Sequence, residues 1–329
     1  MKTDRSWAGM NLDRRSFIGG VGAVVASSAL PVFGKDDPSL FPKRGVVERL
    51  AVAYQHIHIG LPQPFSVLHI SDTHLTAVYD DEPEYLVKFA KERARTFGGR
   101  QEEALRDSLA WARKNVDYVI HTGDLIDFQT RANLDIVKKT FGEESALAAC
   151  MGNHEFQRRI PGEKIDESSI AGLRKYGALS MKLLAETFPF DISLQSTVVN
   201  GVNFVTLNEV CGFVTENHVE RFQAEVKKGL PIMLCMHCPF FTGELARASC
   251  KYWQFNRKFR HDNPGPMNSF QVNDPVTRDF IAYLKGEKLL KGILTGHMHL
   301  TASDRFSPTA MQYIVGGNFM FHGEEVLFT

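Results

Sequence analysis

From Val46 apolar positions alternate with polar ones through Leu50, Val52 and Tyr54 to His58. The alternation breaks at Gly60-Leu61-Pro62-Gln63-Pro64 and resumes at Phe65 to Ile70, which predicts two strands joined by a turn. His56 and His58 share one side of the first strand, where a structural or surface role is expected. Residues 83 to 115 change to helical spacing, and Gly98-Gly99 divides them into two helices. In the second, Leu105, Leu109, Ala112 and Val116 make one apolar face to lay on a sheet. A strand over Tyr118 to His121 follows, then a helix near 132 to 140. The Ala-rich run Ala146 to Met151 reads as a strand only because of the motif behind it.

Ile170 to Phe188 predicts another helix, and Asn200-Gly201 sits where a two-residue hairpin turn requires it. A strand at Phe204 to Leu207, a helix marked by Val219, Phe222 and Val226, and a strand at Pro231 to Met236 come next. Residues 241 to 273 show no clean period. Asp274-Pro275 has the chemistry of a helix start, with Val276, Phe280, Ile281 and Leu284 facing inward and Gly286 at the end. Met311 to Val315 and Val326 to Phe328 close the chain as strands. Strands alternating with helices indicate a layered α/β fold.

Five short loops, each behind a strand-like run, gather the chemistry. They are Ser71-Asp72-Thr73-His74, Gly123-Asp124-Leu125-Ile126-Asp127, Gly152-Asn153-His154-Glu155, Met236-His237-Cys238-Pro239 and Gly296-His297-Met298-His299. Together they supply the oxygen and imidazole donors that hard or borderline divalent cations take. Paired donors one residue apart, Asp72 with His74 and His297 with His299, are expected to point the same way from a strand end.

These five stretches, in this order from Asp72 to His299, resemble the motifs of the calcineurin-like metallophosphoesterase family. The resemblance implies a four-layer α/β/β/α sandwich, two mixed sheets with helices outside, over residues 46–329. It implies two divalent cations (Mn, Fe or Zn), a hydroxide bridging them, and in-line attack on phosphorus. Asp124 would bridge, with Asp72, His74 and His299 completing one site and Asn153, His237 and His297 the other. His154 would be the acid at the leaving group. Asp127 and Glu155 would be supporting carboxylates that orient imidazoles. His121, beside the Gly-Asp loop, is expected to be structural. The first histidine, His74, together with Asp127 separates this chain from the pattern of purple acid phosphatases.

The motifs are shared by phosphomonoesterases, phosphodiesterases and nucleotide pyrophosphatases, so the substrate expected is a phosphorylated small molecule or nucleotide. A catalytically silent scaffold on the same fold is the competing class, disfavoured by the complete donor set. Within 241 to 273, Arg247, Lys251, Arg257, Lys258 and Arg260 interleave with Tyr252, Trp253, Phe255 and Phe259. Either this is a solvated loop, or Arg247, Lys251, Trp253, Arg257 and Arg260 form a cap that contacts an anionic substrate.

Arg14-Arg15-Ser16-Phe17-Ile18 precedes a Gly- and Ser-rich apolar run to Phe33 that is too short and mild for a membrane span. It resembles a twin-arginine export signal. Residues 1–34 are therefore expected to be a signal read by the twin-arginine machinery, with 35–45 a linker. The mature protein is expected in the periplasm or cell envelope of a bacterium, with no stable membrane anchor. Removing residues 1–34 takes away four basic and two acidic groups, which leaves 34 against 36 and no basic surface for a nucleic-acid polymer. Five cysteines do not fit a fully paired disulfide framework. Cys150 and Cys235 sit in apolar runs, as buried thiols do. Cys235-Met236-His237-Cys238 straddles a strand end, which is the wrong place for a redox C-x-x-C.

Overall fold

Two mixed sheets account for the strands in the computed structural model, which describes residues 49–164, 170–210, 212–253 and 270–329. The first contains β1 (Ala51–Ile57), β2 (Phe65–Ile70), β3 (Tyr118–His121), β4 (Leu147–Ala149) and β11 (His322–Phe328), in the order β1-β11-β2-β3-β4. The second contains β5 (Leu194–Val199), β6 (Val202–Leu207), β7 (Ile232–Cys235), β8 (Leu290–Thr295), β9 (Ala302–Arg305) and β10 (Met311–Ile314), in the order β5-β6-β7-β8-β10-β9. Strands β2, β3 and β4 are parallel in one sheet, and β6, β7 and β8 in the other. Because the two sets run the same way within each sheet, the loops leaving their carboxyl ends collect together, the usual place for a site in such sheets.

The sheets pack face to face through Phe65, Val67, Ile120, Phe204, Met233, Leu294, Val326 and Phe328. The outer face of the first sheet is covered by α2 (Gln101–Asn115), α3 (Arg131–Glu143) and α4 (Ile170–Thr187), which bring Leu105, Leu109, Val137 and Leu184 onto Leu68 and Ile70. The second sheet is covered by α5 (Glu216–Val226) and α7 (Pro275–Gly286), with Phe222, Phe280 and Leu284 against Val205, Leu234 and Ile293. This is the expected α/β/β/α sandwich. Strands buried on both faces read as continuous apolar runs rather than alternating ones, which is why β2 and β6 are buried at every position.

Local chemistry sets the element ends. The α1 helix (Glu84–Thr96) and α2 flank Gly98 and Gly99, both with positive φ. The β5–β6 turn is Asn200 (φ 47°) and Gly201 (φ 85°), the pair of left-handed residues that a tight hairpin needs. Asp274 caps α7 by accepting the Thr277 N–H, with Pro275 in the first turn.

Three elements depart from the sequence reading. Within 241–273 the chain forms α6 (Gly243–Tyr252), capped by the Thr242 hydroxyl; only Leu245 and Ser249 of it are buried, too few to give an apolar period. The strand β9 is half exposed and polar at Ser303, Asp304 and Arg305. Strand β11 begins at His322, four residues earlier than its apolar end suggests, because Glu324 and Glu325 are buried within it. Glu324 lies 3.3 Å from His69 Nδ1, a pairing across the β11–β2 ladder. The expected signal (1–34) and linker (35–45) lie outside the described residues. No helix among the described residues is long and apolar enough to cross a membrane.

Candidate metal centre

The loop after β2 and the loop after β3 run side by side. Asp72 N donates to Gly123 O, His74 N to Asp124 O and Leu75 N to Leu125 O, each at 2.9 Å. Asp72, His74, Asp124, His297 and His299 all have φ between 53° and 66°. The paired donors therefore converge through left-handed residues and not through strand alternation, which corrects the expectation from the sequence. The strands end at Ile70 and Thr295, before the donors begin. Two motif glycines answer close approaches: at Gly123 (φ 92°) a Cβ would come within 2.7 Å of Gly152 N and His237 Nδ1, and at Gly296 one would collide with the Ser71 hydroxyl.

The donors form overlapping groups: Asp72 with His74 and His299, His74 with Asp124 and His154, and Asp124 with His237 and His297, the ligand atoms of each lying within 4.8 Å of one another. Asn153 Oδ1 is 3.1 Å from His237 Nε2. His74 Nε2 is 3.1 Å from His299 Nε2, and His237 Nε2 is 3.2 Å from His297 Nδ1. Asp124 Oδ2 lies 3.2 Å from His237 Nε2 and 3.7 Å from His74 Nε2, so one carboxylate adjoins both groups.

A cation fits this donor set. His237 Nδ1 sits 2.8 Å from the Thr122 carbonyl, which only accepts, so Nδ1 carries a proton. In the neutral ring Nε2 then presents its lone pair to the Asp124 oxygen, and two acceptors in contact require a proton or a metal ion between them. Without a metal ion the proton is favoured: burial works against it, but the Asp124 carboxylate pushes His237 up to about 10. Burial instead takes His74 down to about 4 and His297 down to about 3, so both rings are neutral and ready to ligate. Asp124 is held well below the usual carboxylate range because its histidine neighbours outweigh its burial.

Buried carboxylates hold the loops. Asp127 faces four donors: Arg93 Nε (2.6 Å) and Nη2 (2.8 Å) from α1, His74 Nδ1 (3.0 Å) and His154 Nδ1 (2.8 Å). Glu155 orients no imidazole, contrary to expectation. It accepts the backbone N–H groups of Asp124 (3.0 Å), Ile126 (3.1 Å) and Gly152 (2.7 Å), tying two loops together. Glu209, which nothing in the sequence reading singled out, does the same for the loop after β7 by accepting from His237 N and Cys238 N. Its place just behind a buried strand was the available signal. Arg93 gave none, since it lies in a charged helix run like any surface arginine.

His154 is half-buried, its backbone N–H donates to Asp124 Oδ1 at 2.8 Å, and Nδ1 is taken up by Asp127, which leaves Nε2 without a hydrogen-bond partner among the described residues. Burial disfavours its charged form, but Asp124 and Asp127 more than compensate and raise its pKa. His121 stays outside the cluster, with Nε2 on the Thr73 hydroxyl at 2.9 Å. Cys235 is buried between the sheets, where burial pushes its thiol up and away from redox chemistry. His56 and His58 both bond the Thr329 hydroxyl.

One side of the cluster is aromatic. Phe97 stacks on His74 at 4.2 Å and 12°, and Phe319 lies 5.2 Å from His299. Of the expected substrate contacts, the structure places Trp253 here, 5.7 Å from the His299 ring with Nε1 donating to Met298 O. Arg247 instead pairs with Glu244 on the exposed face of α6, and Lys251 is exposed on the same helix. Arg257 and Arg260 lie outside the described residues.

The chain belongs to the calcineurin-like phosphoesterase family, whose sequence profile matches residues 65–301, from the first residue of β2 to just past His299. Its members are metal-dependent phosphoesterases. Among solved structures it is similar to a dimetal phosphatase from Danio rerio (16% identity, 78% of this chain and 88% of that one, TM-score 0.44). It is also similar to the calcineurin-like phosphoesterase YfkN from Bacillus subtilis (12%, 78% and 82%, 0.36) and to a 5'-nucleotidase from Candida albicans (13%, 85% and 47%, 0.35). The chain thus spans about half the length of the last of these. No curated protein sequence matches it.

Proposed function

We propose that this chain hydrolyses phosphate esters of small molecules or nucleotides with two divalent cations, one held by Asp72, His74 and His299 and the other by Asn153, His237 and His297, with Asp124 shared. The observation that carries this reading is the Asp124 carboxylate, which adjoins the histidines of both groups. Bound there, the cations supply Lewis acidity toward phosphoryl oxygens and lower the pKa of water at the site. The chain's own part is orientation: Asp127 fixes the ring of His74, Thr122 that of His237, and the protein-free Nε2 of His154 gives a proton to the leaving oxygen. The Arg14-Arg15 signal supports export of the folded protein to the periplasm by the twin-arginine machinery.

The test is hydrolysis of nitrophenyl phosphate and bis-nitrophenyl phosphate by the full chain with Mn²⁺, alongside a count of bound metal. Asp124→Ala is expected to lose both activity and one or both ions. His154→Ala is expected to keep its metal and to lose about 10²- to 10⁴-fold in kcat. Two bound ions with no turnover of either nitrophenyl ester or of a nucleoside diphosphate would refute the enzyme reading in favour of a scaffold.

A further inference from the structure

The loop that carries Asn153 and His154 runs on to Arg158 and Arg159, and the fold treats these two arginines differently. Arg158 pairs with Glu163. Arg159 has no carboxylate within ion-pair distance among the described residues: one guanidinium nitrogen bonds the Gln157 side chain, and Nε, like that of Arg158, is buried with no hydrogen-bond partner among the described residues. Its backbone is left-handed (φ 53°), a conformation that a β-carbon disfavours and that clusters at ligand sites. The loop is braced rather than loose, with Ser180 Oγ donating to Phe156 O at 2.9 Å and Gln129 N to Gln157 O at 2.8 Å.

Its position is as informative as its lack of a partner. The guanidinium lies 4.5 Å over the Phe89 ring. Phe89 is one helical turn before Arg93 on α1 and packs edge-on against Phe128, the neighbour of Asp127. Arg159 thus stands beside the carboxylate that supports His74 and His154. That carboxylate attracts Arg159 through space but makes no direct pair with it, because Arg93 and the two imidazoles take its hydrogen-bonding positions. A largely desolvated cation with no directly paired anion is costly. A fork of N–H donors on a rigid loop is a receptor for a phosphate or carboxylate.

We propose that Arg159 binds a second anionic group of the substrate, next to the phosphorus that is attacked, so that the favoured substrates carry two adjacent phosphoryl groups, as a nucleoside or sugar diphosphate does. The proposal rests on the phosphoesterase reading above and specifies its substrate class. Arg159 is a specificity residue in this account and takes no part in the bond making.

Calorimetric binding of methylenediphosphonate and of inorganic phosphate to the Mn²⁺-loaded full chain tests it, with Arg159→Asn chosen because Asn tolerates the left-handed backbone. Diphosphonate affinity is expected to fall about ten- to a hundredfold, and phosphate affinity much less. An equal loss for both ligands would place Arg159 on the attacked phosphoryl group or in the scaffold and overturn the proposal, as would no loss. Should the Asn variant fail to fold, Arg159→Lys decides: it keeps the charge without the fork, so the diphosphonate-to-phosphate preference drops, and an unchanged preference overturns the proposal. A parent chain that binds neither ligand refutes the phosphoesterase reading as well, whereas failure of the Arg159 proposal alone leaves metal-dependent phosphate binding in place.

Discussion

Asp127→Asn isolates the support beneath the cluster. The native carboxylate is fully buried and faces donors only, two from Arg93 and one each from His74 and His154. The amide keeps one acceptor oxygen and turns its NH2 toward a donor, and it removes the charge that balances Arg93, whose side chain is 18% exposed. Removing one partner of a buried pair typically costs about 3–5 kcal/mol. At about 2–4 °C per kcal/mol for a domain of this size, the melting temperature falls by about 6–20 °C. Both rings lose what fixes their tautomer, so Mn²⁺ affinity falls about 10- to 100-fold. The assay is thermal unfolding in chelator, which keeps metal out of the stability comparison, followed by Mn²⁺ titration. Arg93→Met and the double variant complete a cycle. With the orphaned charge removed, the double variant is expected to be more stable than the sum of the single losses by about 1 kcal/mol or more. A single variant within about 0.5 kcal/mol of the parent, or strictly additive losses, would show that the pair does not hold the site.

Gly123→Ala should cost about 3 kcal/mol or more and abolish Mn²⁺ binding, because both its φ of 92° and the Cβ contacts with Gly152 and His237 forbid a side chain. Gly142→Ala in α3, where a Cβ meets nothing, should be neutral or stabilising by up to about 1 kcal/mol, and denaturant melts compare the two. His218 gives a pH prediction. Neutral, it accepts the Thr215 N–H at Nδ1 and bonds Ser193 Oγ at Nε2, and burial with Arg221 nearby pushes it down to about 4 from an ordinary 6.5. Between those values the unfolded chain takes up a proton that the folded chain refuses, so stability falls from pH 6.5 to pH 4 and then levels, by about 3 kcal/mol in total. His218→Gln keeps an acceptor for the helix cap, and it refutes the assignment if its acid slope equals that of the parent.

Most of the layer order was legible because the strands are short, apolar and punctuated. Tyr118–His121 and the Asn200-Gly201 hairpin are where the residues put them, and Asp274-Pro275 starts a helix as its chemistry requires. The elements that were missed hide their pattern. Helix α6 buries only Leu245 and Ser249, and β11 places Glu324 and Glu325 inside the fold, where an acidic pair reads as surface. At the site the donors were legible, being rare residue types at fixed spacing behind strands. Their supports were not, since Glu209 and Arg93 belong to common residue types and act through contacts 28 or more residues away. The intended role of Glu155 failed for a related reason: a carboxylate beside histidines suggests an imidazole partner, while three converging backbone N–H groups can be seen only in the folded chain.

The backbone explains why so many carboxylates without a metal role are needed. Each left-handed residue that is not glycine costs about 1–3 kcal/mol, and five donors are in that conformation. A strand or helix would supply its own hydrogen bonds, but such loops cannot. Their N–H groups are buried, and each one left unpaired would add a further penalty of similar size. Glu155 takes three of these groups, Glu209 two, and the Asp72 carboxylate the N–H of His297. The acidic residues therefore do two jobs at one site: Glu155 and Glu209 satisfy the strained backbone, and Asp72 does so while also lying among the candidate metal donors. Arg159 has the same left-handed backbone, in the loop behind Asn153 and His154, but a buried Nε that nothing among the described residues satisfies. On this logic the missing partner of Arg159 arrives with the substrate.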